Sequence, residues 1–476
     1  MLFSGLLFLT LFLPVTLLVY YVVPDNWKNP VLLAASLFFY AWGEPVYIIL
    51  MVISIVFNWY MGLTLKYADE SDHRGRRYLL WSGVTFNLLI LGYFKYAAFF
   101  ITTINQIFHI SITVPELSLP IGISFYTFQA LGYLADVYRG KVKAQKNLIS
   151  FGVYIACFPQ LIAGPIVSYS EIEEKINHPN LRRFSFKRLG GGASLFIVGL
   201  AKKVLIANQV GEIYNSYYQS GNFSCLGYYL AALCFAFQIY FDFSGYSDMA
   251  LGLGRMLGFF FDKNFNYPYL SCSVTEFWRR WHISLGSWFR EYVYIPLGGN
   301  RVPVWRHICN IFIVWLLTGL WHGASWNFVI WGLYYGALLL LEKYLFGKYL
   351  NQLPFLGWLV TSVAVFYGWV IFAADGSFAE FLEIAKGLFG IGVPFTNCWV
   401  SGKFPHALRM ILICLIGMTD LPFRFHKMLM DYRSHEHAFR KGATLSLVLV
   451  SRILMLAASI AFLIYDSYNP FLYFRF

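Results

Sequence analysis

The sequence predicts an all-α protein that is embedded in a membrane. Its 476 residues are 58% hydrophobic and 20% aromatic, and only 13% of them are charged. A soluble domain carries about 25% charged residues, so this chain has too few to cover a surface that faces water. Apolar runs of about 20 residues, each long enough to cross a bilayer, recur along the whole chain and predict about 11–12 transmembrane helices.

Hydropathy places the candidate spans in order near 3–23, 30–43, 46–65, 79–100, 119–138, 189–208, 226–250, 307–321, 325–345, 354–374, 404–421 and 443–465. The first run lacks a basic segment before it and a small-residue cleavage site after it, so we expect a retained span rather than a signal peptide. Neither an internal repeat nor a Pro- or Ser-rich linker is visible. We therefore expect one polytopic membrane domain over residues 1–476.

Positive charge is distributed unevenly between the connections. If the spans alternate sides, one set of connections holds most of the 36 Lys and Arg residues, whereas the other holds only Lys386, Lys403 and Arg475. Cytoplasmic loops of membrane proteins are rich in Lys and Arg. We therefore expect the basic connections in the cytoplasm and both termini outside. This topology also explains the net charge of +12 without a nucleic-acid partner.

Three stretches do not fit simple spans. Residues 148–168 are apolar but interrupted by two prolines and a glycine, which predicts a re-entrant element, since non-helical backbone at membrane depth must be satisfied by protein or water. Residues 273–292 mix tryptophans with arginines, as is typical of a helix at the cytoplasmic interface. The run 307–321 is short for a span, so we expect the turn from His322 to Asn327 to lie below the outer surface.

His322 is an ionisable residue within an apolar run. A polar group at membrane depth is costly and usually marks a functional site. Histidine can act as a general base near neutral pH, and apolar surroundings favour the neutral ring that accepts a proton. The alternative is a structural histidine that donates a hydrogen bond to a helix carbonyl.

Two acids, Asp242 and Asp248, also lie in an apolar run. Six residues apart, they fall on different faces of a regular helix, which does not favour a catalytic carboxylate pair. Buried acids usually pair with Lys or Arg, and Lys202 or Lys203 is the expected partner. The seven cysteines are scattered, so we expect neither a zinc site nor a disulfide framework.

Basic residues offer a second kind of site between 273 and 306. Arg301 follows a Gly-Gly turn, in which the glycines allow close approach of a ligand to the backbone, and Arg binds phosphate well. His282 follows Arg279 and Arg280. The alternative for each Arg is anchoring at the bilayer surface, and for His282 it is a bridge between backbone groups.

Several of these stretches resemble the membrane-bound O-acyltransferase (MBOAT) superfamily. Their amino-acid sequences are most similar to its alginate O-acetyltransferase (AlgI-type) branch. The resemblance is carried by Phe277-Trp-Arg-Arg-Trp-His-Ile-Ser284, Tyr294-Ile-Pro-Leu-Gly-Gly-Asn-Arg301 and Trp321-His-Gly-Ala-Ser-Trp-Asn327. Further matching segments lie at 36–42, 119–129, 158–165 and 469–476.

The resemblance implies a fold and a set of roles. The fold would be an MBOAT-like bundle of transmembrane, re-entrant and interfacial helices around a central tunnel. His322 would be the catalytic general base, with His282 as a second histidine that binds the acyl donor or positions its thioester. We expect Arg279, Arg280 and Arg301 to bind the phosphates of acetyl-CoA, since Arg binds phosphate well. The resemblance includes the segment of Asp242 and Asp248, and these acids and Asn327 are expected to have supporting roles. No metal ion is expected.

The resemblance further implies acetyl transfer from cytoplasmic acetyl-CoA, a substrate rather than a bound cofactor, across the bacterial inner membrane. The acceptor would be an exported polysaccharide such as alginate, cellulose or peptidoglycan. The implied partners are a periplasmic SGNH-type acetyltransferase of the AlgJ or AlgX class and membrane lipid. A transporter or flippase of glycan or lipid intermediates is the alternative, although transporters often show two symmetric halves. A structural subunit of a synthase complex is a third interpretation.

Overall fold

A computed structural model describes residues 1–161, 164–374, 378–431, 438–465 and 471–472. All regular elements within these ranges are helices, and nine of the helices there are long and apolar enough to cross a membrane. The predicted all-α class is therefore confirmed. Most of the closing motif at 469–476, and residues 162–163 of the motif at 158–165, lie outside the described residues.

The main helices in chain order are α1 Phe8–Val22, α2 Lys28–Gly43, α3 Ile48–Tyr67, α4 His73–Phe108, α5 Ile123–Tyr138, α6 Leu148–Ala156, α7 Tyr169–Asn177, α8 Phe186–Gln219, α9 Cys225–Leu257, α10 Val274–Arg280, α11 Ile283–Phe289, α12 Val304–His322, α13 Trp326–Leu350, α14 Pro354–Ala373, α15 Phe378–Leu388, α16 Cys398–Gly417, α17 Leu421–Asp431 and α18 Ala438–Tyr465. Single turns of helix lie at Asp25–Trp27, Phe158–Leu161, Pro179–Arg182 and Pro268–Leu270.

Each span predicted from hydropathy coincides with a helix. Nine of the predicted spans correspond to the helices of membrane-crossing length. The other three correspond to α1, α2 and α5, of which α2 and α5 have 16 residues each. A transmembrane helix needs about 17–25 residues, so the predicted number of 11–12 spans includes three helices below this length.

The irregular segments differ in how well the sequence predicted them. The apolar stretch from 148 breaks as expected, because α6 ends at Ala156 and only the buried turn Phe158–Leu161 follows. The segment 273–292, predicted as one interfacial helix, instead forms α10 and α11 with buried Trp281 and His282 between them. The single-helix prediction was wrong because backbone hydrogen bonds to the segment before α10 replace the hydrogen bonds of a continuous helix. One example is the hydrogen bond from Ile283 N–H to Asn264 O at 3.0 Å.

The chain divides into two compact units, each built from separate segments. One comprises Met1–Phe196, Met249–Asp262 and Arg290–Tyr292, and the other comprises Ile197–Asp248, Lys263–Phe289 and Val293–Phe476. The single-domain interpretation stays a prediction.

A buried amide pair joins α3 and α4 in the first unit. Asn58 Nδ2 donates to Asn87 Oδ1 at 3.0 Å, and Asn87 Nδ2 donates back to Asn58 Oδ1 at 2.7 Å. Side-chain amides that bond across helices satisfy each other where no water is present. The pair therefore fixes the packing of α3 against α4.

Two glycines bring α12 and α13 of the second unit into backbone contact. A Cβ atom on Gly319 would lie 2.2 Å from Phe328 O, and one on Gly332 would lie 2.3 Å from Trp315 O. Small residues permit this approach between helices in membranes. Because α12 ends at His322, the same contact holds that histidine against the first turns of α13.

Candidate functional site

His322 is the last residue of α12 and is buried among aromatic rings. Its side chain is 4% exposed. The ring centroid lies 4.8 Å from that of Trp331, 5.3 Å from Phe372 and 5.1 Å from Trp321, each in an edge-to-face arrangement. These rings enclose the imidazole in apolar surroundings.

The turn after His322 is fixed by short-range contacts. Gly323 has extended backbone, and a Cβ atom there would meet the Phe328 ring at 2.2 Å. Asn327 Nδ2 donates to Ala374 O at 2.6 Å, and Ser325 Oγ donates to Asn327 Oδ1. The buried Asn327 therefore ties the turn to the end of α14, and its supporting role stays a prediction.

His282 lies between α10 and α11 and is 2% exposed. Its φ of 43° is in the left-handed region, which few residues other than glycine adopt without cost. Its Nδ1 lies 3.3 Å from Asn264 Oδ1 and 3.5 Å from Ser284 Oγ. Strained backbone of this kind is concentrated at functional sites.

The Trp321 ring contacts both histidines that the sequence singled out. The His282 centroid lies 5.7 Å from that of Trp321, and the Trp321 centroid lies 5.1 Å from that of His322. Phe243 of α9 also contacts the His282 ring, with a centroid distance of 4.7 Å. The two imidazoles, 40 positions apart in the sequence, therefore belong to one aromatic cluster.

Both acids of α9 are ion-paired with α8, as the sequence predicted. Asp242 lies 2.5 Å from Lys203, and both side chains are buried. Asp242 also accepts a hydrogen bond from Leu472 N–H at 2.7 Å. Asp248 lies 2.7 Å from Lys202, with both side chains 25% exposed. These contacts account for the two acids as anchors between helices.

The three arginines have different environments. Arg280 bonds to Glu276 Oε1 at 2.6 Å on its own helix. Arg279 and Arg301 are exposed, and neither forms an ion pair within the described part of the chain. Arg301 follows Gly298 and Gly299, both of which have positive φ. Arg279 and Arg301 are therefore accessible to a ligand, and the assignment of all three arginines to acetyl-CoA stays a prediction.

Sequence reasoning missed four residues that shape the site. Trp331 and Phe372 enclose His322. In the sequence they look like ordinary aromatic residues of membrane helices. Asn264 and Ser284 contact His282, and Asn264 is 18 positions away in a polar segment. Nothing in the local pattern marks such long-range contacts. In the described ranges, no three His, Cys, Asp or Glu residues are grouped so that they could hold a metal ion.

Comparison with known proteins shows the family of this chain. Residues 48–379 match the MBOAT, membrane-bound O-acyltransferase family. The chain is 43% identical to a probable alginate O-acetylase AlgI of Pseudomonas aeruginosa, over 79% of this chain and 72% of that protein. It is 37% identical to a protein of the same name in Azotobacter vinelandii, over the full length of both.

A peptidoglycan O-acetyltransferase of Helicobacter pylori is 32% identical over 100% of this chain and 98% of that protein. The nine apolar helices of the described ranges agree with a multi-pass membrane protein. The matches cover most of the sequence, including both site histidines. The chain belongs to the membrane-bound O-acyltransferase family and is an O-acyltransferase.

Proposed function

We propose that the protein transfers acetyl groups from cytoplasmic acetyl-CoA across the bacterial inner membrane for O-acetylation of an exported polysaccharide. Relatives named alginate O-acetylase and peptidoglycan O-acetyltransferase support an acetyl donor and a glycan acceptor. A periplasmic SGNH-type acetyltransferase of the AlgJ or AlgX class receives the acetyl group and passes it onward. Coenzyme A is a polyanion that cannot cross a bilayer, so donor and acceptor approach from opposite sides.

The observation that carries this proposal is the buried imidazole of His322 at the end of α12. In the reaction, the acceptor hydroxyl oxygen attacks the thioester carbon while His322 takes the hydroxyl proton. The resulting tetrahedral species collapses, the carbon–sulfur bond breaks, and the thiolate recovers the proton from the imidazolium. The products are an acetyl ester and free coenzyme A. Exclusion of water by Trp321, Trp331 and Phe372 limits hydrolysis of the thioester.

The donor enters from the side with the basic connections. Arg279 and Arg301 are exposed and can meet the phosphates of acetyl-CoA, for which Arg is well suited. Arg280 shares its charge with Glu276 and contributes less. His282 binds the donor or positions its thioester from the same cluster of rings as His322.

The test compares purified variants in the same helix. His322→Ala and His322→Gln should lose acetyl transfer and the associated release of coenzyme A, because removal of a general base costs a factor of about 10² to 10⁴. The control is His307→Gln, which removes another buried histidine of α12, one that contacts Tyr294 and Lys343. This control should retain turnover if it folds.

Folding is checked by the thermal midpoint in detergent. Near-normal turnover by His322→Gln, an amide that cannot take a proton, would overturn the role of His322. Absence of coenzyme A release from the wild type, with every acceptor offered, would favour the transporter alternative.

A further inference from the structure

Asn264 lies on the segment between α9 and α10 and is 1% exposed. Its Oδ1 atom accepts hydrogen bonds from Ser284 N–H at 3.1 Å and from Ser284 Oγ–H at 3.0 Å. A backbone N–H can only donate, so the atom that faces it must be the amide oxygen and not the nitrogen. The orientation of the Asn264 amide is therefore fixed by its surroundings.

This orientation decides where the proton of His282 is. The Nδ1 atom of His282 lies 3.3 Å from the same Asn264 oxygen. Because that oxygen offers only lone pairs, the contact is favourable only when the neutral imidazole carries its proton on Nδ1 and donates it to Asn264. In a histidine, the partner of one ring nitrogen sets the state of the other. The Nε2 atom of His282 therefore holds a lone pair and accepts hydrogen bonds.

Nothing in the described part of the chain donates to this nitrogen. The Nε2 atom is buried and has no hydrogen-bond partner there. A buried polar atom without a partner is unfavourable, and the backbone at His282 is strained as well. Two unfavourable features at one residue are typical of a functional position. They point to a donor group that a bound molecule supplies.

We propose that Asn264 is a positioning residue that fixes the tautomer of His282, so that Nε2 accepts a hydrogen bond from an N–H or O–H group of a substrate. The proposal rests on the proposed function, in which His322 takes the proton of the acceptor. An N–H group comes from the amides of the acetyl-CoA arm, and an O–H group comes from the acceptor hydroxyl.

The immediate surroundings of the His282 ring keep it neutral. The elements that contact it contribute Asn264, Ser284, Phe243 and Trp321, and none of these four side chains ionises near neutral pH. Burial lowers the pKa of His282. The neutral form therefore persists well below pH 6.5, and activity that needs the bare Nε2 should not fall in that range in the wild type.

The main test is Asn264→Asp. The carboxylate keeps an oxygen for both Ser284 donors and for His282, but its charge favours the imidazolium and should raise the pKa of His282 by about 1–3 units. The fall of kcat/KM on the acid side should then move to higher pH, with activity recovered as the pH rises. The control is Ser284→Ala, which keeps the backbone N–H of residue 284 and therefore the amide orientation. Whatever its overall rate, the acid-side fall of its kcat/KM should stay at the pH of the wild type.

A second variant, Asn264→Ala, removes the partner of Nδ1 without adding charge. We expect kcat/KM to fall at least tenfold in a protein with a near-normal thermal midpoint. A raised KM for acetyl-CoA would identify the donor amide as the group on Nε2, and a raised KM for the acceptor would identify the hydroxyl. This variant decides the matter if Asn264→Asp does not fold.

An Asn264→Asp profile parallel to the wild type, or unchanged KM values for both substrates in Asn264→Ala, would overturn the inference. Failure of the proposed function gives a different result, namely normal turnover by His322→Gln. If the His322 variants are inactive and the Asn264→Asp profile is parallel to the wild type, only the role of Asn264 is wrong.

Discussion

Replacing Lys203 by Met should strongly destabilise the protein, because it removes the cation that pairs with a buried acid. The Asp242 side chain is 1% exposed and lies 2.5 Å from Lys203. Without Lys203, the Asp242 carboxylate still accepts the hydrogen bond from Leu472 N–H. It loses the positive charge that compensates for its burial. Breaking a buried ion pair from one side costs about 3–5 kcal/mol.

The same pair of helices provides a matched control. Lys202 and Asp248 are 2.7 Å apart, but both side chains are 25% exposed, so this pair is less completely buried than that of Lys203 and Asp242. Lys202→Met should therefore destabilise the protein less than Lys203→Met. The double variant Lys203→Met with Asp242→Leu removes both buried charges and should recover most of the loss, because apolar replacement of a buried pair is often neutral or stabilising.

The assay is thermal unfolding in detergent, followed by the reaction of a thiol-specific dye with buried cysteines such as Cys234 and Cys414. The single and double variants form a double-mutant cycle, and its coupling free energy is the quantity of interest. Equal destabilisation by Lys203→Met and Lys202→Met would refute the reasoning. A double variant as unstable as Lys203→Met would refute it too.

Three further predictions use independent observations. Gly332→Ala should reduce both folding yield and acetyl transfer, because its Cβ would lie 2.3 Å from Trp315 O and force α12 away from α13; normal yield and activity would contradict this packing. Arg301→Ala should raise the KM for acetyl-CoA about tenfold or more, as a charge-assisted hydrogen bond contributes about 1.5–3 kcal/mol; an unchanged KM would favour bilayer anchoring. A cysteine introduced into residues 66–77 should not react with a membrane-impermeant thiol reagent added to intact spheroplasts, because we expect these residues in the cytoplasm. Labelling there would show that the predicted topology is inverted.

Hydropathy predicted the helices well because burial in lipid imposes a length and a composition on each span. The pairing of the α9 acids with Lys202 and Lys203 was also predictable, since a charge at that depth needs a partner. His322 was recognisable for the same reason. In these cases the requirement for a partner follows from the depth of the residue in the membrane. That depth is evident from the apolar residues beside it in the sequence.

Contacts between distant segments could not be predicted. Glu342 accepts bonds from Val274 N–H at 2.6 Å and from Thr275 N–H at 3.2 Å, and so caps α10 from 68 positions away. The left-handed backbone at His282 likewise depends on the segment that contains Asn264. The continuous pattern of residues 273–292 favours one helix, and only the tertiary contacts explain its division.

The most direct measurement uses the protein reconstituted in vesicles of known orientation, with acetyl-CoA on the side of the basic connections and the acceptor on the other. The acceptors are a periplasmic SGNH-type partner and a soluble oligosaccharide. The wild type should release coenzyme A on the donor side and form acetyl ester on the opposite side, whereas His322→Gln should do neither. Ester formation by His322→Gln at the wild-type rate, or ester found only on the donor side, would contradict the account.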